Sequence, residues 1–308
     1  MNSCLVIYNP NSGKVKKENL KGNFIESFKS ILNEYGYKVT FIDTHYKGHA
    51  TKIVEKSPFY DLVISIGGDG TFNEVMRGNL NREERLLLAH IPLGTTNDIG
   101  AMWGYGKDIM MNLRQLLEGE VKEIDICTVN DKPFVYVAGF GKFMNIPYDT
   151  PRDLKKKYGY LAYLINAINI FKQKTQLYDL SFTVNGETYR GLYSFALITN
   201  ATRVAGINNF YDNIKLNDNQ FEVLFSNLTT KKDIIKTLAL LVTNNITNVP
   251  GFYFYKTDKI TITFHNDLKY PWCIDGEELD ENPRQYNIEI KKDVKVKLPK
   301  KNIDKLFR

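Results

Sequence analysis

Residues 67–71, which read Gly-Gly-Asp-Gly-Thr, are of types that can bind a phosphate group. The apolar run 63–66 ends at this turn and a helix-compatible segment follows, so the pattern predicts a buried parallel strand leading into a helix. Glycine lets a backbone approach a bulky anion, and the N–H groups at a helix start favour negative charge. The turn lacks the Gly-Lys-Ser/Thr ending of a P-loop and the glycine spacing of a dinucleotide-binding fold. A phosphate site is one interpretation, and an ordinary strand-to-helix turn is the other, because glycine and aspartate are common in turns.

Two other polar segments follow apolar runs. Residues 9–14 come after the first run, and residues 92–98 come after a later one and supply hydroxyls, an amide and a second acid, Asp98. In an open parallel sheet the carboxyl ends of the strands share one edge, where ligands bind. We therefore expect Asp69 and Asp98 to meet across one crevice. Two carboxylates beside a phosphate turn suggest a magnesium-bound triphosphate, although a helix N-cap also explains Asp98.

The elements that must position these residues alternate between strand and helix over the first 120 or so residues. Apolar runs predict strands at 5–8, 38–42, 62–66 and 86–91, and helical spacing predicts helices at 20–35, 49–56, 73–78 and 108–117. This alternation predicts a parallel sheet covered by helices.

The pattern changes near residue 124, after which short strand-like runs separated by turn residues dominate. The predicted strands are 134–138, 180–184, 193–199, 221–225, 252–255, 260–264 and 285–290, and helices are predicted at 161–171 and 231–244. Asn185-Gly186 is a strong hairpin signal. The predicted fold class is thus α/β plus β. An α/β nucleotide-binding domain comprises 1–123, with the tail at about 295–308 packing back onto it, and a mostly antiparallel β-sandwich domain comprises 124–294.

Composition favours a globular protein in a reduced compartment. Hydrophobic residues make up 43% of the 308 and charged residues 25%, and the cysteines Cys4, Cys127 and Cys273 are isolated. The apolar part of the N-terminus is too short for a signal peptide, and no apolar run approaches the roughly 18 residues of a transmembrane helix. We expect a cytoplasmic protein.

Two segments are strongly basic in a chain of net charge +6. Residues 152–174 carry six basic residues and one acid, and residues 291–308 carry eight and two. Such patches suit an anionic surface such as a membrane or nucleic acid, and a solvated face is the alternative. Nucleic-acid binding is not expected, because the basic residues belong to no known module.

Four motifs together resemble the diacylglycerol kinase catalytic family, which includes soluble bacterial lipid kinases and eukaryotic sphingosine kinases. They lie at residues 9–13, 67–71, 92–98 and 275–277, in the order seen in that family. The resemblance spans residue 5 to about 298, and the layout looks most like the bacterial diacylglycerol kinase or lipid kinase branch.

The resemblance implies a site for ATP. Its members would be Asn9, Pro10, Asn11, Ser12, Gly13, Thr44, Gly68, Asp69, Gly70, Thr71, Phe72, Asn73, Glu74 and Thr95.

The resemblance also implies the catalytic groups and two magnesium ions. Asp98 would join Asp69 in a network of magnesium and water, and Glu277 would be the general base. A second, structural magnesium ion would be held by the Asp218 carboxylate, with Lys215 and Gln220 contributing mainly backbone oxygens. The family usually has Asp-Gly where this chain has Asp218-Asn219, and asparagine tolerates the left-handed geometry that such a turn needs.

The function implied is transfer of phosphate from ATP to a lipid hydroxyl, with diacylglycerol the expected acceptor and phosphatidic acid the product. The enzyme would work as a peripheral protein at the inner membrane face, with 152–174 as the candidate membrane contact, and could form a homodimer. Alternatively, the apolar face of 152–174 packs in the core and its lysines are solvated. An NAD kinase, which shares the Gly-Gly-Asp-Gly-Thr turn, and a non-catalytic, nucleotide-regulated lipid-binding protein are the rival functions.

Overall fold

The computed structural model describes residues 1–12, 23–94, 97–135, 137–141, 176–204, 207–208, 211, 213–230, 232–233, 250–269, 271–275, 277–279 and 281–308. The chain forms two compact units. The first unit comprises residues 1–126, 215–218 and 292–308, and the second comprises 127–214 and 219–291.

The first unit is built on a parallel sheet. Its first four strands are β1 (Asn2–Tyr8), β2 (Tyr37–Asp43), β3 (Leu62–Gly67) and β4 (Leu88–Pro92). They lie in the order β2-β1-β3-β4, and Val296, near the chain's C-terminus, pairs in parallel with Leu88 of β4. Every residue of β3 and β4 is buried, as their continuous apolar runs predict.

Helices accompany this sheet. Their bounds are α1 (Asn23–Glu34), α2 (His49–Lys56), α3 (Asp69–Leu80), α4 (Asp98–Met102), α5 (Ile109–Leu117) and α6 (Ile303–Leu306), with a 3-10 helix at Lys300–Asn302. The face of α1 that helical spacing predicts to be apolar is buried, as Phe28 and Leu32 illustrate. Asp108 caps α5 by accepting a hydrogen bond from the backbone N–H of Met111 at 2.9 Å.

The second unit consists mainly of antiparallel strands. Two longer strands contribute residues to both units: β5 (Glu120–Val129) and β18 (Gln285–Leu298). The others are β6 (Lys132–Phe134), β7 (Val137–Gly141), β8 (Tyr178–Val184), β9 (Glu187–Tyr193), β10 (Phe195–Thr199), β11 (Arg203–Val204), β12 (Ile207–Asn208), β13 (Phe221–Ser226), β14 (Phe252–Thr257), β15 (Lys259–Phe264), β16 (Cys273–Ile274) and β17 (Glu277–Glu278).

Most of these strands form two sheets around one aromatic core, whereas β11 and β12 pair only with each other. One sheet has the order β18-β15-β8-β9, and the other has the order β14-β13-β10-β7-β16-β17. Phe182 of the first sheet stacks on Phe225 of the second with ring centroids 4.2 Å apart, and Phe264 meets Phe140 edge-on at 4.8 Å. Residues of both sheets thus bury their alternate side chains in a shared core.

The predicted fold class is confirmed: an N-terminal α/β part with a parallel sheet and a separate antiparallel part. The Asn185-Gly186 hairpin is also confirmed, because it joins β8 to β9 with both residues at positive φ, 51° and 83°. The predicted strand 285–290 continues to Leu298. The predicted helices at 161–171 and, apart from 232–233, at 231–244 lie outside the described residues.

Two predicted strands were wrong because each contains a break. The strand predicted at 193–199 is divided at Ser194, where the chain passes from β9 in one sheet to β10 in the other. The Ser194 N–H and hydroxyl both donate to the Ser226 carbonyl at 2.6 and 3.0 Å. The strand predicted at 134–138 is divided because the N–H groups of Val135 and Val137 donate to the Asp275 carboxylate. The first break is a change of sheet, and the second arises from a partner distant in sequence, Asp275.

A buried histidine in the first unit gives a testable pH dependence. His90 of β4 is fully buried, hydrogen-bonds Ser65 at 2.9 Å and packs 5.1 Å from the Phe72 ring. Burial lowers the pKa of His90 to about 3, and the hydrogen bond with Ser65 only partly opposes this. Between about pH 6.5 and 3 the unfolded chain binds a proton that the folded chain does not. The stability that neutral His90 contributes is therefore complete above pH 6.5 and is lost as the pH falls.

We expect the free energy of unfolding to fall by about 2 kcal/mol from this residue alone between pH 7.5 and 5. Denaturant unfolding of the wild type and His90→Leu at both pH values measures it, with exposed His45→Gln as the control. His90→Leu should lose this pH dependence and His45→Gln should keep it. Equal pH dependence in the wild type and His90→Leu would show that His90 does not titrate on unfolding.

Candidate active site

Four loops of the first unit share one edge of the parallel sheet. The register places Tyr8 of β1 opposite Asp43 of β2 and Ile66 of β3, and Gly67 of β3 opposite Pro92 of β4. The loops that follow these strands begin at residues 9, 44, 68 and 93. The described residues of motifs 9–13, 67–71 and 92–98 lie in these loops or in the strand and helix ends beside them. The structure therefore brings the three motifs to a single edge.

The glycine-rich turn leads directly into α3. Gly68 is the extended residue before the helix, and its carbonyl accepts the N–H groups of Thr71 and Phe72 at 2.9 and 3.3 Å. The first N–H groups of a helix have no partner within it. A Cβ added at Gly70 would meet none of the described residues within 4 Å, so with respect to them the backbone is open at the start of a twelve-residue helix. This arrangement can accept an anion.

The loop after β1 is hydrogen-bonded to the glycine-rich turn. The Asn9 side-chain amide donates to the Thr71 hydroxyl at 3.0 Å, and the Gly68 N–H donates to the Ser12 hydroxyl at 3.2 Å. The Asn9 side-chain oxygen also accepts the Asn11 N–H at 3.0 Å. The side chains of Asn9 and Ser12 therefore hold two loops together, so neither loop is an isolated turn.

Asp69 connects the turn to the loop after β4. One of its carboxylate oxygens accepts the N–H of Asp98 at 3.0 Å, and the other accepts the N–H of Ile99 at 3.1 Å. Asp69 thereby caps the short helix α4, and the two acids lie next to each other as expected. The Asp98 side chain belongs to a buried residue, 1% exposed. A buried carboxylate at this position requires hydrogen bonds or a cation.

The same two loops approach so closely that a side chain is excluded between them. A Cβ added at Gly94 would lie 2.6 Å from the Gly68 Cα and 2.7 Å from the Asn97 side-chain oxygen. Asn97 itself has a left-handed conformation, φ 52°, and its amide donates to the Gly94 carbonyl at 2.9 Å. Glycine at position 94 therefore allows the loop after β4 to pack against the glycine-rich turn at residues 67–71.

Gly94→Ala should destabilise the protein by about 1–3 kcal/mol, because the added methyl overlaps backbone that cannot move aside easily. Gly70→Ala is the matched control, since its methyl would contact none of the described residues and alanine is favoured in a helix. Thermal unfolding should show a lower Tm for Gly94→Ala and an unchanged or higher Tm for Gly70→Ala. Equal Tm values for the two variants would contradict the close approach.

Glu74 and Thr44 occupy the part of the edge next to β2. The two Glu74 carboxylate oxygens accept the N–H groups of Gly48 and Ala50 at 2.8 and 3.1 Å, so this side chain caps α2. Thr44 is buried and its N–H donates to the Tyr8 carbonyl at 2.8 Å. Through its bonds to Gly48 and Ala50, Glu74 holds the loop that follows Thr44.

The Tyr8 hydroxyl is perturbed by its surroundings. Burial, reinforced by the Asp43 carboxylate, raises the pKa of Tyr8.

An aromatic stack in this loop was missed by the sequence reasoning. The His49 ring stacks with those of His45 and Tyr46, with centroids 5.3 and 4.6 Å away, and Lys52 lies 5.4 Å from the Tyr46 ring centre. Tyr46 is 53% exposed. The sequence signal for this stack was the presence of three ring side chains within the five residues 45–49, just after a strand. Surface histidines are common, so this spacing alone did not distinguish stacked rings from isolated ones.

The fourth motif lies in the second unit on the hairpin of β16 and β17. The Asp275 carboxylate accepts the N–H groups of Val135 and Val137 at 2.6 and 2.9 Å, and its own N–H donates to the Val137 carbonyl at 2.8 Å. The backbone of Glu277 pairs with Ile274 across the hairpin. Asp275 therefore anchors the β16–β17 hairpin to Val135 and Val137. Glu277 lies on this hairpin.

The residues predicted for the structural magnesium ion fall on both sides of a unit boundary. Lys215 and Asp218 belong to the first unit and Gln220 to the second. The turn after Asp218 has the left-handed conformation expected of it, with Asn219 at φ 61°.

Several predictions concern residues outside the described parts of the chain: Gly13, Thr95 and the membrane-contact segment 152–174. Among the residues that are described, no group of three or more His, Cys, Asp and Glu side chains could hold a metal ion. Every helix in that part of the chain is also too short or too polar to cross a membrane.

Comparison with known proteins agrees with this geometry. The diacylglycerol kinase catalytic domain model matches residues 3–129. The diacylglycerol kinases of Staphylococcus aureus strains MRSA252 and JH9 are each 31% identical over 295 residues, which cover 94% of this chain and 90% of each relative. The fold and these relatives define a lipid kinase class of phosphotransferase. This chain belongs to the diacylglycerol kinase catalytic family.

Solved structures support the fold assignment. The crystal structure of a diacylglycerol kinase from Bacillus anthracis strain Sterne matches with a TM-score of 0.75 at 20% identity and 98% coverage of both chains. A second crystal structure from that strain gives a TM-score of 0.78 at 22% identity, covering 98% of this chain and 99% of the other. At this level of identity the likeness concerns the fold alone.

Proposed function

We propose that this chain transfers the γ-phosphate of ATP to the hydroxyl of diacylglycerol, which gives phosphatidic acid. The observation that carries the proposal is the open start of α3 at Gly70, directly beside the linked pair Asp69 and Asp98. The names of the S. aureus relatives, which are diacylglycerol kinases, support the choice of acceptor.

The nucleotide end of the proposal uses the sheet edge of the first unit. The ATP phosphates bind at the start of α3, where N–H groups and the helix dipole favour negative charge. Asn9 and Ser12 keep the neighbouring loop in place through Thr71 and the Gly68 N–H.

If phosphate occupies the space beside Gly70, the Gly70→Ala variant should have a higher KM for ATP and an unchanged Tm. Gly13, Thr44 and Thr95 are assigned to ATP from the family resemblance.

Magnesium fits the acids at this edge. Carboxylate oxygens are the ligands that magnesium prefers, and it commonly binds through one or two of them together with substrate phosphates. Asp69 and Asp98 would hold the ion. When bound, magnesium neutralises charge on the transferring phosphate. Asp69 also caps α4, and this fixes its carboxylate without any ion.

The acceptor chemistry requires a base, because a primary alcohol is a weak nucleophile. The lipid hydroxyl oxygen bonds to the γ-phosphorus while the bond from that phosphorus to the bridging oxygen of ADP breaks. The hydroxyl proton passes to the Glu277 carboxylate, a role assigned from the family resemblance. The hydrogen bonds of Asp275 to Val135 and Val137 support the hairpin that carries this residue.

The acceptor is embedded in a bilayer, so the proposal includes peripheral contact with the inner membrane face of the cell. The basic segment 152–174 is assigned to this contact from its charge and its apolar spacing. Self-association into a homodimer is a separate prediction, which sedimentation of the purified chain tests.

Acceptor specificity tests the proposal. Purified protein is supplied with labelled ATP, magnesium and, separately, diacylglycerol, phosphatidylglycerol, a sphingoid base or NAD. Transfer to diacylglycerol well above the other acceptors is the expected result. Transfer to NAD alone would assign an NAD kinase, and ATP binding without transfer to any acceptor would favour a regulatory lipid-binding protein.

A further inference from the structure

Residues 215–218, part of the segment that the family resemblance assigns to a structural magnesium ion, are hydrogen-bonded to the C-terminal residues of this chain. The Lys215 ammonium donates to the carbonyl oxygens of Asp304, Lys305 and Phe307 at 2.9, 3.0 and 2.8 Å. These carbonyls lie in and just after α6. The positive charge of Lys215 therefore also interacts favourably with the partial negative charge at the C-terminal end of this short helix. The Leu216 N–H adds a bond to the Leu306 carbonyl at 2.8 Å.

Arg308 extends this attachment to the carboxylate of Asp218. Its backbone N–H donates to the Asn217 side-chain oxygen at 2.9 Å. Its guanidinium Nη2 lies 3.6 Å from Asp218 Oδ2. The Asp218 side chain is 2% exposed, whereas that of Arg308 is 66% exposed. A nearly buried carboxylate thus has a permanent positive charge beside it.

This environment does not fit a magnesium ion. Magnesium requires a near-octahedral shell of oxygen atoms at about 2.0–2.1 Å, usually including several waters. A guanidinium stays charged at every accessible pH and repels a divalent cation that approaches the same carboxylate. The Lys215 ammonium places a second positive charge against the residue before Arg308. The left-handed Asn219 is not the obstacle, because the turn forms with asparagine in place.

We infer that Arg308 supplies, at Asp218, the positive charge that the family resemblance assigns to a structural magnesium ion. The 215–218 segment is therefore held by the chain's own C-terminal residues. Folding of the first unit does not depend on magnesium at this point. The inference concerns stability in the absence of nucleotide and is independent of the proposed catalytic activity.

Thermal unfolding of the nucleotide-free full chain tests the inference. The Tm is measured in EDTA and in magnesium chloride up to about ten millimolar, with sodium chloride added to keep the ionic strength constant. The wild-type Tm should change by less than about 1 °C. A magnesium-dependent rise of several degrees that disappears in Asp218→Asn would overturn the inference, whereas a rise that persists in Asp218→Asn arises at another site and leaves Asp218 without a metal, as inferred.

Charge removal at position 308 provides the second measurement. In EDTA, Arg308→Gln should melt about 1–3 °C below the wild type, because Asp218 loses its guanidinium partner. Lys301→Gln removes one exposed charge from the same tail and is the matched control, with an expected Tm equal to that of the wild type. A wild-type Tm for Arg308→Gln would also overturn the inference.

Discussion

Replacing Glu277 by glutamine should lower kcat by about 10²–10⁴-fold, the range that general base catalysis usually contributes. Glutamine keeps the shape of the side chain but cannot accept the proton of the lipid hydroxyl. The KM for ATP should change little, because the proposed nucleotide contacts all lie in the first unit. Stability should also be retained, since the hairpin is held by backbone pairing with Ile274 and by the Asp275 carboxylate.

Glu278→Gln is the matched control for this variant. Glu278 is the next residue of the same two-residue strand and its side chain is exposed. Initial rates of lipid phosphorylation should be near wild-type for Glu278→Gln and strongly reduced for Glu277→Gln. Full turnover by Glu277→Gln would remove Glu277 as the base.

The second large effect is expected at Asp69. Asp69→Ala removes the acceptor of the Asp98 and Ile99 N–H groups, and a hydrogen bond to a charged group is worth about 1.5–3 kcal/mol. Allowing for the partial exposure of Asp69, we expect a loss of about 2–4 kcal/mol in the free energy of unfolding. Loss of charge stabilisation at the transferring phosphate should also lower kcat/KM by about 100-fold or more.

Asp108→Ala separates capping from catalysis. Asp108 caps α5 through the Met111 N–H, so its removal should cost about 0.5–2 kcal/mol, as for other helix caps. It should leave kcat/KM for ATP unchanged when activity is measured well below the Tm. An Asp69→Ala protein that retained activity as well as Asp108→Ala would limit Asp69 to a structural role.

The parts of the fold that depend on local patterns could be predicted from the sequence. The helix predicted at 49–56 was confirmed at both ends, and Asn185-Gly186 formed the predicted hairpin. The meeting of Asp69 with the loop of Asp98 followed from the rule that parallel strands end at one edge. These predictions required only periodicity, turn chemistry and sheet topology.

Features that depend on partners distant in sequence could not be predicted. Asp275 divides a predicted strand by binding Val135 and Val137, which lie 140 and 138 positions away. The Glu74 carboxylate caps α2, a contact that its predicted place in the phosphate turn did not reveal. No local pattern specifies such contacts, because they arise only when the packed elements bring the groups together.

The attachment of Lys215 to the C-terminal carbonyls belongs to the same category. Its motif is compatible with a metal site, and the motif does not reveal that the Lys215 ammonium binds carbonyls of the tail or that Arg308 lies beside Asp218. Asp218 lies 90 positions from Arg308, whose guanidinium is 3.6 Å from its carboxylate. The composition of a motif thus indicates a type of site, and its tertiary neighbours decide what occupies it.

The initial rate at which labelled γ-phosphate passes from ATP to diacylglycerol in mixed micelles measures the proposed activity itself. Labelled phosphatidic acid is the expected product with magnesium present, with almost none in EDTA and at least about 100-fold less from Asp69→Ala. If folded, ATP-binding wild-type protein formed no labelled phosphatidic acid, the proposed lipid kinase function would be wrong.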